Sequence, residues 1–386
     1  MPQRGSLAAD TQPNSCDSAR MISLTAIGLM SGTSMDGVDI ALLKTDGEAM
    51  VERGPFASYP YSDADRALLR QALSDAVSMR ARNERPGVLG QAESLVTERH
   101  AQAVKAFLAT NDMDGASIDL IGFHGQTVLH RPQERLTVQI GDGAALARAT
   151  GIRTIYDLRA ADVAAGGQGA PLVPVYHRAL VAASRLAGPV AIVNIGGVAN
   201  VTFIASPAEE PVAFDTGPGN ALIDDLMLER TGVAVDRDGA TAARGVASEA
   251  ILDAMLAHPF FAKPFPKSLD RNDFSRAAVA GLSTPDAAAT LTAFTARSIG
   301  LALQSLPAQP RLLIICGGGA RNPTLLRELR RHPCEVKTAD DLGWSADAME
   351  AEAFAYLAVR SAKGLPITFP GTTGVPAPMT GGVATA

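Results

Sequence analysis

Short hydrophobic runs and segments with helical spacing alternate along most of the chain. The runs typical of buried strands cover residues 22–30, 38–43, 118–123, 137–140, 154–156, 190–195, 200–204 and 311–316. Helical spacing covers residues 61–73, 91–108, 171–186, 246–257, 285–306 and 347–362. This alternation of strands and helices favours an α/β fold.

Two of the strand pairs share one layout, an apolar strand, a tight glycine-rich turn and a second apolar strand. They are IGLMSGTSMDGVDIALL and AIVNIGGVANVTFI, and their turns at Gly32 and Gly196 lie one domain length apart. A chain of 386 residues is also too long for one ordinary core. We therefore predict two similar lobes, domain I of residues 21–185 plus 365–386 and domain II of residues 186–364, after a disordered extension of residues 1–20.

Composition narrows the kind of partner. The net charge is −6, which lacks the electrostatic footprint of a protein that binds nucleic acid or an anionic membrane. The charge therefore favours a small-molecule partner. No apolar run reaches the roughly 18 to 20 residues of a spanning helix, and residues 1–20 lack the apolar core of a secretory signal. The three cysteines form neither a disulfide framework nor a zinc motif, so we expect a cytoplasmic protein.

The first turn, GTSMDG, is rich in small residues whose backbone N–H groups can form a concavity for anionic oxygens. An ordinary hairpin turn is the alternative. It is not a Walker A loop, because Val38 stands where that motif requires lysine. The second turn, NIGGVAN, suggests two loops that close on one triphosphate from opposite sides, with a divalent metal offsetting the charge.

CGGGARN, which ends with Asn322, closes a strand and opens a helix. Such a turn can admit the flat face of a nucleoside, and a packing turn is the alternative.

FDTGPGN is the strongest candidate for chemistry, because Asp215 ends a strand before a rigid bend and can act as a general base. An Asp that bonds to its own turn is the other interpretation. His124 and His130 permit a metal pair but fit structural roles as well. Arg159, in a segment with Asp157 and Asp162, can clamp a carboxylate, or form a plain salt bridge.

The motifs GLMSGTSMDGVD, HGQTVLH, GGQGAPLVP, NIGGVAN, FDTGPGN and EAEAFAYLA occur in this order along the chain. Together they closely resemble the family of 1,6-anhydro-N-acetylmuramic acid kinases from about Ile22 onward. The resemblance implies the superfamily of actin, hexokinase and the heat-shock ATPases. In that fold each lobe is a ribonuclease-H-like mixed sheet with flanking helices, and ATP binds in the cleft between them.

By resemblance, Asp215 is the catalytic carboxylate. The residues implied to hold ATP are Gly32, Thr33, Ser34, Met35, Asp36, Gly37, Val38, Asp39, Asn194, Gly196, Gly197, Asn200, Gly317, Gly318, Gly319 and Asn322. The residues implied to contact the sugar are His124, Arg159, Asp162, Asn220 and Glu350. Which of Asp36, Asp39 and Asp215 approaches the metal stays open.

The implied reaction belongs to peptidoglycan recycling. Water, activated by Asp215, opens the 1,6-anhydro ring, and O6 takes the γ-phosphoryl group of ATP with Mg²⁺, giving N-acetylmuramic acid 6-phosphate and ADP. Another sugar or carboxylic-acid kinase of the same superfamily is the alternative. The resemblance also makes a homodimer plausible.

Overall fold

The computed structural model describes residues 22–32, 34–269 and 273–386. The predicted extension of residues 1–20 and the predicted phosphate contact Thr33 lie outside the described residues. The strands are β1 (Leu24–Ser31), β2 (Gly37–Thr45), β3 (Val51–Pro60), β4 (Leu120–Arg131), β5 (Leu136–Ile140), β6 (Thr154–Tyr156), β7 (Val190–Ile195), β8 (Val198–Ile204), β9 (Val212–Pro218), β10 (Leu312–Cys316), β11 (Glu335–Thr338) and β12 (Val383–Ala384). The helices are α1 (Asp63–Ala76), α2 (Leu89–Thr110), α3 (Gly143–Thr150), α4 (Ala160–Ala164), α5 (Pro174–Ala183), α6 (Ala221–Thr231), α7 (Glu249–Leu256), α8 (Thr284–Gln304), α9 (Pro323–Leu329), α10 (Met349–Ala362) and α11 (Pro370–Thr373).

The strands form two sheets with the same internal order. The first runs β12-β6-β4-β1-β2-β3, with β5 paired to β4, and the second runs β11-β10-β7-β8-β9. In the first sheet the central strand β1 pairs antiparallel with β2 and parallel with β4. In the second sheet the central strand β7 pairs antiparallel with β8 and parallel with β10. This duplicated mixed sheet confirms the predicted two-lobed, actin-like α/β fold, and we call each sheet with the helices packed on it a lobe.

The side-chain alternation of the central strands sorts residues into separate cores. In β1, Ala26 and Met30 face one core, while Ile27 and Leu29 face the core beneath α1 and α2. In β10, the side chains at residues 312, 314 and 316 face the same core as Ala26 and Met30. Leu313 and Ile315 face a third core, beneath α8 and α9. The core that contains Ala26 and Met30 lies between the two sheets and also contains residues of α5 and α10. Helical layers and sheet layers therefore alternate in the molecule.

Helix α10 lies directly against the first sheet. A Cβ added to Gly28 would meet the carbonyl oxygen of Ala351 at 1.8 Å, and one added to Gly122 would meet that of Phe354 at 2.0 Å. Glycine at these two strand positions therefore admits the helix backbone. The predicted domain division placed residues 349–362 with the second lobe, whereas this helix packs on β1, β2 and β4. The division as a whole stays a prediction.

The chain end returns to the first sheet, where Val383 pairs with Tyr156 at the sheet edge. Within the described residues, no helix combines the length and the apolar character needed to cross a membrane.

Candidate functional site

The two glycine-rich turns face each other across one cavity between the lobes. Gly32 and Ser34 of the first hairpin and Gly196 of the second line it, together with His124, Arg159 and Glu350. We call this the first-lobe cavity. The duplicated fold thus brings together turns that are far apart in sequence.

A network of hydrogen bonds from Ser31, Tyr61 and Gln126 holds the first turn in place. The Ser31 hydroxyl donates to Gln126 Oε1 at 2.6 Å and lies 3.0 Å from the Tyr61 hydroxyl. The Gln126 amide donates to the Gly32 carbonyl at 3.1 Å, and the Tyr61 backbone N–H donates to the Asp36 carbonyl at 2.9 Å. Sequence reasoning missed Tyr61 and Gln126, although Gln126 lies within the HGQTVLH motif.

The second hairpin and the CGGGARN turn line an adjoining space. Asn194, Asn200, Cys316 and Gly317 face Asp39 and Glu350 there, and we call it the central cavity. Gly317 has a φ of 73°, and a Cβ added to it would meet Asn194 Oδ1 at 2.3 Å. The turn therefore sits against the end of β7 only because residue 317 has no side chain.

A third space, the second-lobe cavity, opens beside this turn. Gly318 and Asn322 line it with Asn220, Asp236 and Arg237. Asn322 also caps α9, because its side-chain oxygen accepts the Leu325 N–H at 3.0 Å. Asn220, predicted to contact the sugar, lies here and donates to the Ile195 carbonyl at 3.2 Å.

Asp215 is the cross-strand neighbour of Asn200, so both side chains lie on the same face of the second sheet. Its Oδ2 accepts the backbone N–H of Leu269 at 2.8 Å. Burial raises the pKa of this carboxyl from 3.8 to about 6, against the lowering effect of that hydrogen bond. An ionised carboxylate with a pKa just below neutrality is suited to general base catalysis.

Arg159 is held in the wall of the first-lobe cavity. It donates to the Gly169 carbonyl at 2.7 Å, and its other terminal nitrogen lies 3.3 Å from His124 Nε2. Within the described residues its Nε is buried without a hydrogen-bond partner. The guanidinium therefore has donor capacity left for an anionic ligand, with Glu350 lining the same cavity.

His124 is a neutral acceptor in this arrangement. Burial, and secondarily the charge of Arg159, lower its pKa to about 3. Its Nδ1 lies 3.1 Å from the Ser31 carbonyl, while His130 Nδ1 lies 3.1 Å from the Thr137 hydroxyl. Both rings thus have hydrogen-bond partners within the protein, which fits the structural alternative for the pair.

Asp162 has internal partners for both carboxylate oxygens. Gly169 N–H and the Thr373 hydroxyl each donate to it at 2.6 Å, and the side chain is buried. These bonds order the glycine turn whose Gly169 carbonyl holds Arg159. A direct sugar contact by Asp162 stays a prediction.

Three carboxylate side chains, Asp39, Asp347 and Glu350, line the central cavity. Burial raises the pKa of Asp39, opposed by a hydrogen bond from Ser58, and burial also raises the pKa of Glu350, opposed by the charge of Arg159. The Glu350 side chain is exposed to solvent in the cleft, although the protein atoms around its carboxylate raise its pKa. Among the described residues, no group of three His, Cys, Asp or Glu side chains is placed to hold a metal ion.

Comparison with known proteins identifies close relatives. Residues 24–386 match the family model described as anhydro-N-acetylmuramic acid kinase. A relative of that name from Rhodopseudomonas palustris is 58% identical over 362 residues, which are 93% of this chain and 98% of the relative. One from Nitrobacter winogradskyi is 57% identical over 364 residues, 94% of this chain and 99% of the relative. Among solved structures, component A of the (R)-2-hydroxyglutaryl-CoA dehydratase of Acidaminococcus fermentans aligns with a TM-score of 0.46 at 14% identity, covering 88% of this chain and 99% of that one.

Proposed function

Because the chain belongs to the anhydro-N-acetylmuramic acid kinase family, we propose that it uses ATP to open and phosphorylate 1,6-anhydro-N-acetylmuramic acid. The products are N-acetylmuramic acid 6-phosphate and ADP. The observation that carries the proposal is the meeting of the two glycine-rich turns in one cavity that also exposes Arg159 and Glu350.

The sugar occupies the first-lobe cavity in this proposal. Its lactyl group carries a carboxylate, and Arg159 is the cationic side chain with unused donors in that wall. A planar guanidinium suits a carboxylate because it can form two parallel hydrogen bonds. Glu350 accepts from sugar hydroxyl or amide groups on the opposite side.

The phosphates of ATP bind between the turn at residues 32–39 and the turn at residues 194–200. Neither turn carries a lysine, so backbone N–H groups and the amides of Asn194 and Asn200 are the donors. The adenosine enters the second-lobe cavity beside Gly318 and Asn322. Gly317 holds this turn close to Asn194, because a Cβ at residue 317 would meet Asn194 Oδ1 at 2.3 Å.

Asp215 acts as the base for the hydrolytic half of the reaction. Its carboxylate takes a proton from water as the water oxygen bonds to C1 and the C1–O6 bond breaks. The electron pair of that bond stays on O6, which attacks the γ-phosphorus and displaces ADP. The raised pKa makes the carboxylate a stronger base while leaving it mostly ionised at pH 7.

We propose that Mg²⁺ accompanies ATP, where it would neutralise charge on the phosphates. Asp39, at the edge of the central cavity, and Asp36 near it are the acidic residues of the first turn that would face it. Few direct protein ligands are needed, because Mg²⁺ is commonly held by one or two carboxylates, substrate phosphates and water.

The test is incubation of the protein with ATP, Mg²⁺ and the anhydro sugar, followed by mass analysis. The proposal expects a product heavier than the sugar by one water and one phosphoryl group. A kinase for ordinary sugars, the alternative function, would instead phosphorylate N-acetylmuramic acid, which has a free O6 hydroxyl. Turnover of that sugar with none of the anhydro sugar would reject the proposed substrate.

A further inference from the structure

Residues 267–269, which follow α7 in the chain, lie against β9 at Asp215. The Asp215 backbone N–H donates to the Lys267 carbonyl at 3.0 Å. Two residues further on, the Leu269 N–H donates to Asp215 Oδ2 at 2.8 Å. Residues 267–269 thus form hydrogen bonds with both the backbone and the side chain of the proposed base.

Lys267 anchors this segment through its own side chain. Its Nζ lies 3.3 Å from the Phe260 carbonyl and 3.2 Å from the Phe261 carbonyl, and it donates to both. The same ammonium lies 4.7 Å from the ring centroid of Phe260 and 5.8 Å from that of Phe214. Phe214 is the residue before Asp215, so the cation binds the loop to the strand that carries the base.

We propose that Lys267 is a positioning residue, which holds Leu269 N–H on one carboxylate oxygen of Asp215 and so presents the other oxygen to the attacking water. The inference rests on the proposed function, because it requires Asp215 to be the base.

The asymmetry of the carboxylate supports this role. Oδ2 is engaged by Leu269, whereas within the described residues Oδ1 accepts no hydrogen bond. A base held through one oxygen keeps a fixed direction for the other, and a misplacement of about 1 Å in such a group can cost roughly 100-fold in rate. The side chain of Lys267 itself need not contact either substrate.

The experiment compares Lys267→Met with Lys267→Arg and with the control Lys263→Met. Methionine fills similar space beside the phenylalanine rings but cannot donate to the two carbonyls, whereas arginine can. Lys263 is exposed and lies in the same loop, so its substitution controls for loss of a positive charge. For each variant we would measure the pH dependence of kcat, KM for both substrates and thermal unfolding.

In Lys267→Met we expect kcat to fall roughly 10- to 100-fold with both KM values within about twofold. The acid limb of its pH profile should move to higher pH, because the Leu269 hydrogen bond lowers the pKa of Asp215. Lys267→Arg should restore most of the wild-type kcat and move the acid limb back toward that of the wild type. Lys263→Met should match the wild type in both. If Lys267→Met does not fold, Lys267→Gln provides the same comparison with a shorter, neutral donor. Its acid limb should lie at higher pH than the acid limbs of the wild type and of Lys267→Arg.

A Lys267→Met protein with the kcat and acid limb of Lys263→Met would overturn the inference. So would a loss of thermal stability with an unchanged pH profile, since that is what a purely structural role would give. A wild-type protein that forms no phosphorylated sugar would instead reject the proposed function, so the two failures are distinguishable.

Discussion

Replacement of Asp215 by Asn should abolish most of the activity and at the same time stabilise the protein. Asparagine has nearly the same shape, and its carbonyl oxygen can still accept the Leu269 N–H. What it removes is a charge held in a buried position. Burial raises the pKa of this carboxyl from 3.8 to about 6, so keeping it ionised at pH 7 costs about 3 kcal/mol of folding free energy.

The pH dependence follows from the direction of that shift. Below about pH 4 the carboxyl is protonated in both the folded and the unfolded chain, and the two proteins should be about equally stable. Between about pH 4 and 6 the unfolded chain releases its proton first, so the wild type loses stability relative to Asp215→Asn. Above about pH 6 the difference is complete and stays constant.

Thermal unfolding at pH 4 and at pH 7.5 measures the effect. For a lobe of ordinary domain size, a gain of about 3 kcal/mol in folding free energy would raise the Tm of Asp215→Asn by at most roughly 6–12 °C. Asp253→Asn, on the exposed face of α7, is the matched control and should change neither Tm nor rate. Loss of the base should lower kcat by about 100- to 10,000-fold. An inactive Asp215→Asn protein that is no more stable than wild type at pH 7.5, or equally stabilised at pH 4, would refute the reasoning.

Three further outcomes are expected. First, kcat/KM of the wild type should fall about tenfold per pH unit below about pH 6, because only ionised Asp215 can accept a proton, and a pH-independent rate down to pH 5 would contradict this. Second, Gly317→Ala should raise KM for ATP and lower Tm, because its Cβ would meet Asn194 Oδ1 at 2.3 Å, whereas Gly281→Ala, with open space around it, should do neither. Third, Arg159→Lys should raise KM for the sugar at least about tenfold with little change in KM for ATP, since lysine lacks the planar fork, and equal changes in both constants would count against the sugar assignment.

The parts of the fold that depend on local sequence could be predicted. Both hairpins carry apolar strands around glycine turns, and the observed β1–β2 and β7–β8 pairs confirm them. Strand β3 was missed, because VERGPFASYP is mostly exposed and contains glycine and proline, as edge strands can. The helix predicted from residue 171 begins at Pro174, where proline fits the first helical position.

Contacts between distant segments could not be predicted. The sequence indicates that residues 347–362 are helical, but it does not show which sheet they cover. That depends on Gly28 and Gly122, which admit the helix backbone. Likewise, nothing near Asp215 reveals that Leu269 donates to it, because such a bond depends on how the chain folds between them.

The measurement that tests the central claim most directly is the reaction in ¹⁸O-water. Coupled ring opening and phosphorylation predicts one ¹⁸O at C1 of the 6-phosphorylated sugar and none in its phosphoryl group. Unlabelled N-acetylmuramic acid 6-phosphate, incubated in the same water for the same time, corrects for exchange at C1. If the ¹⁸O appears instead in inorganic phosphate while the anhydro sugar stays intact, the protein hydrolyses ATP without the coupled reaction, and the proposed function is contradicted.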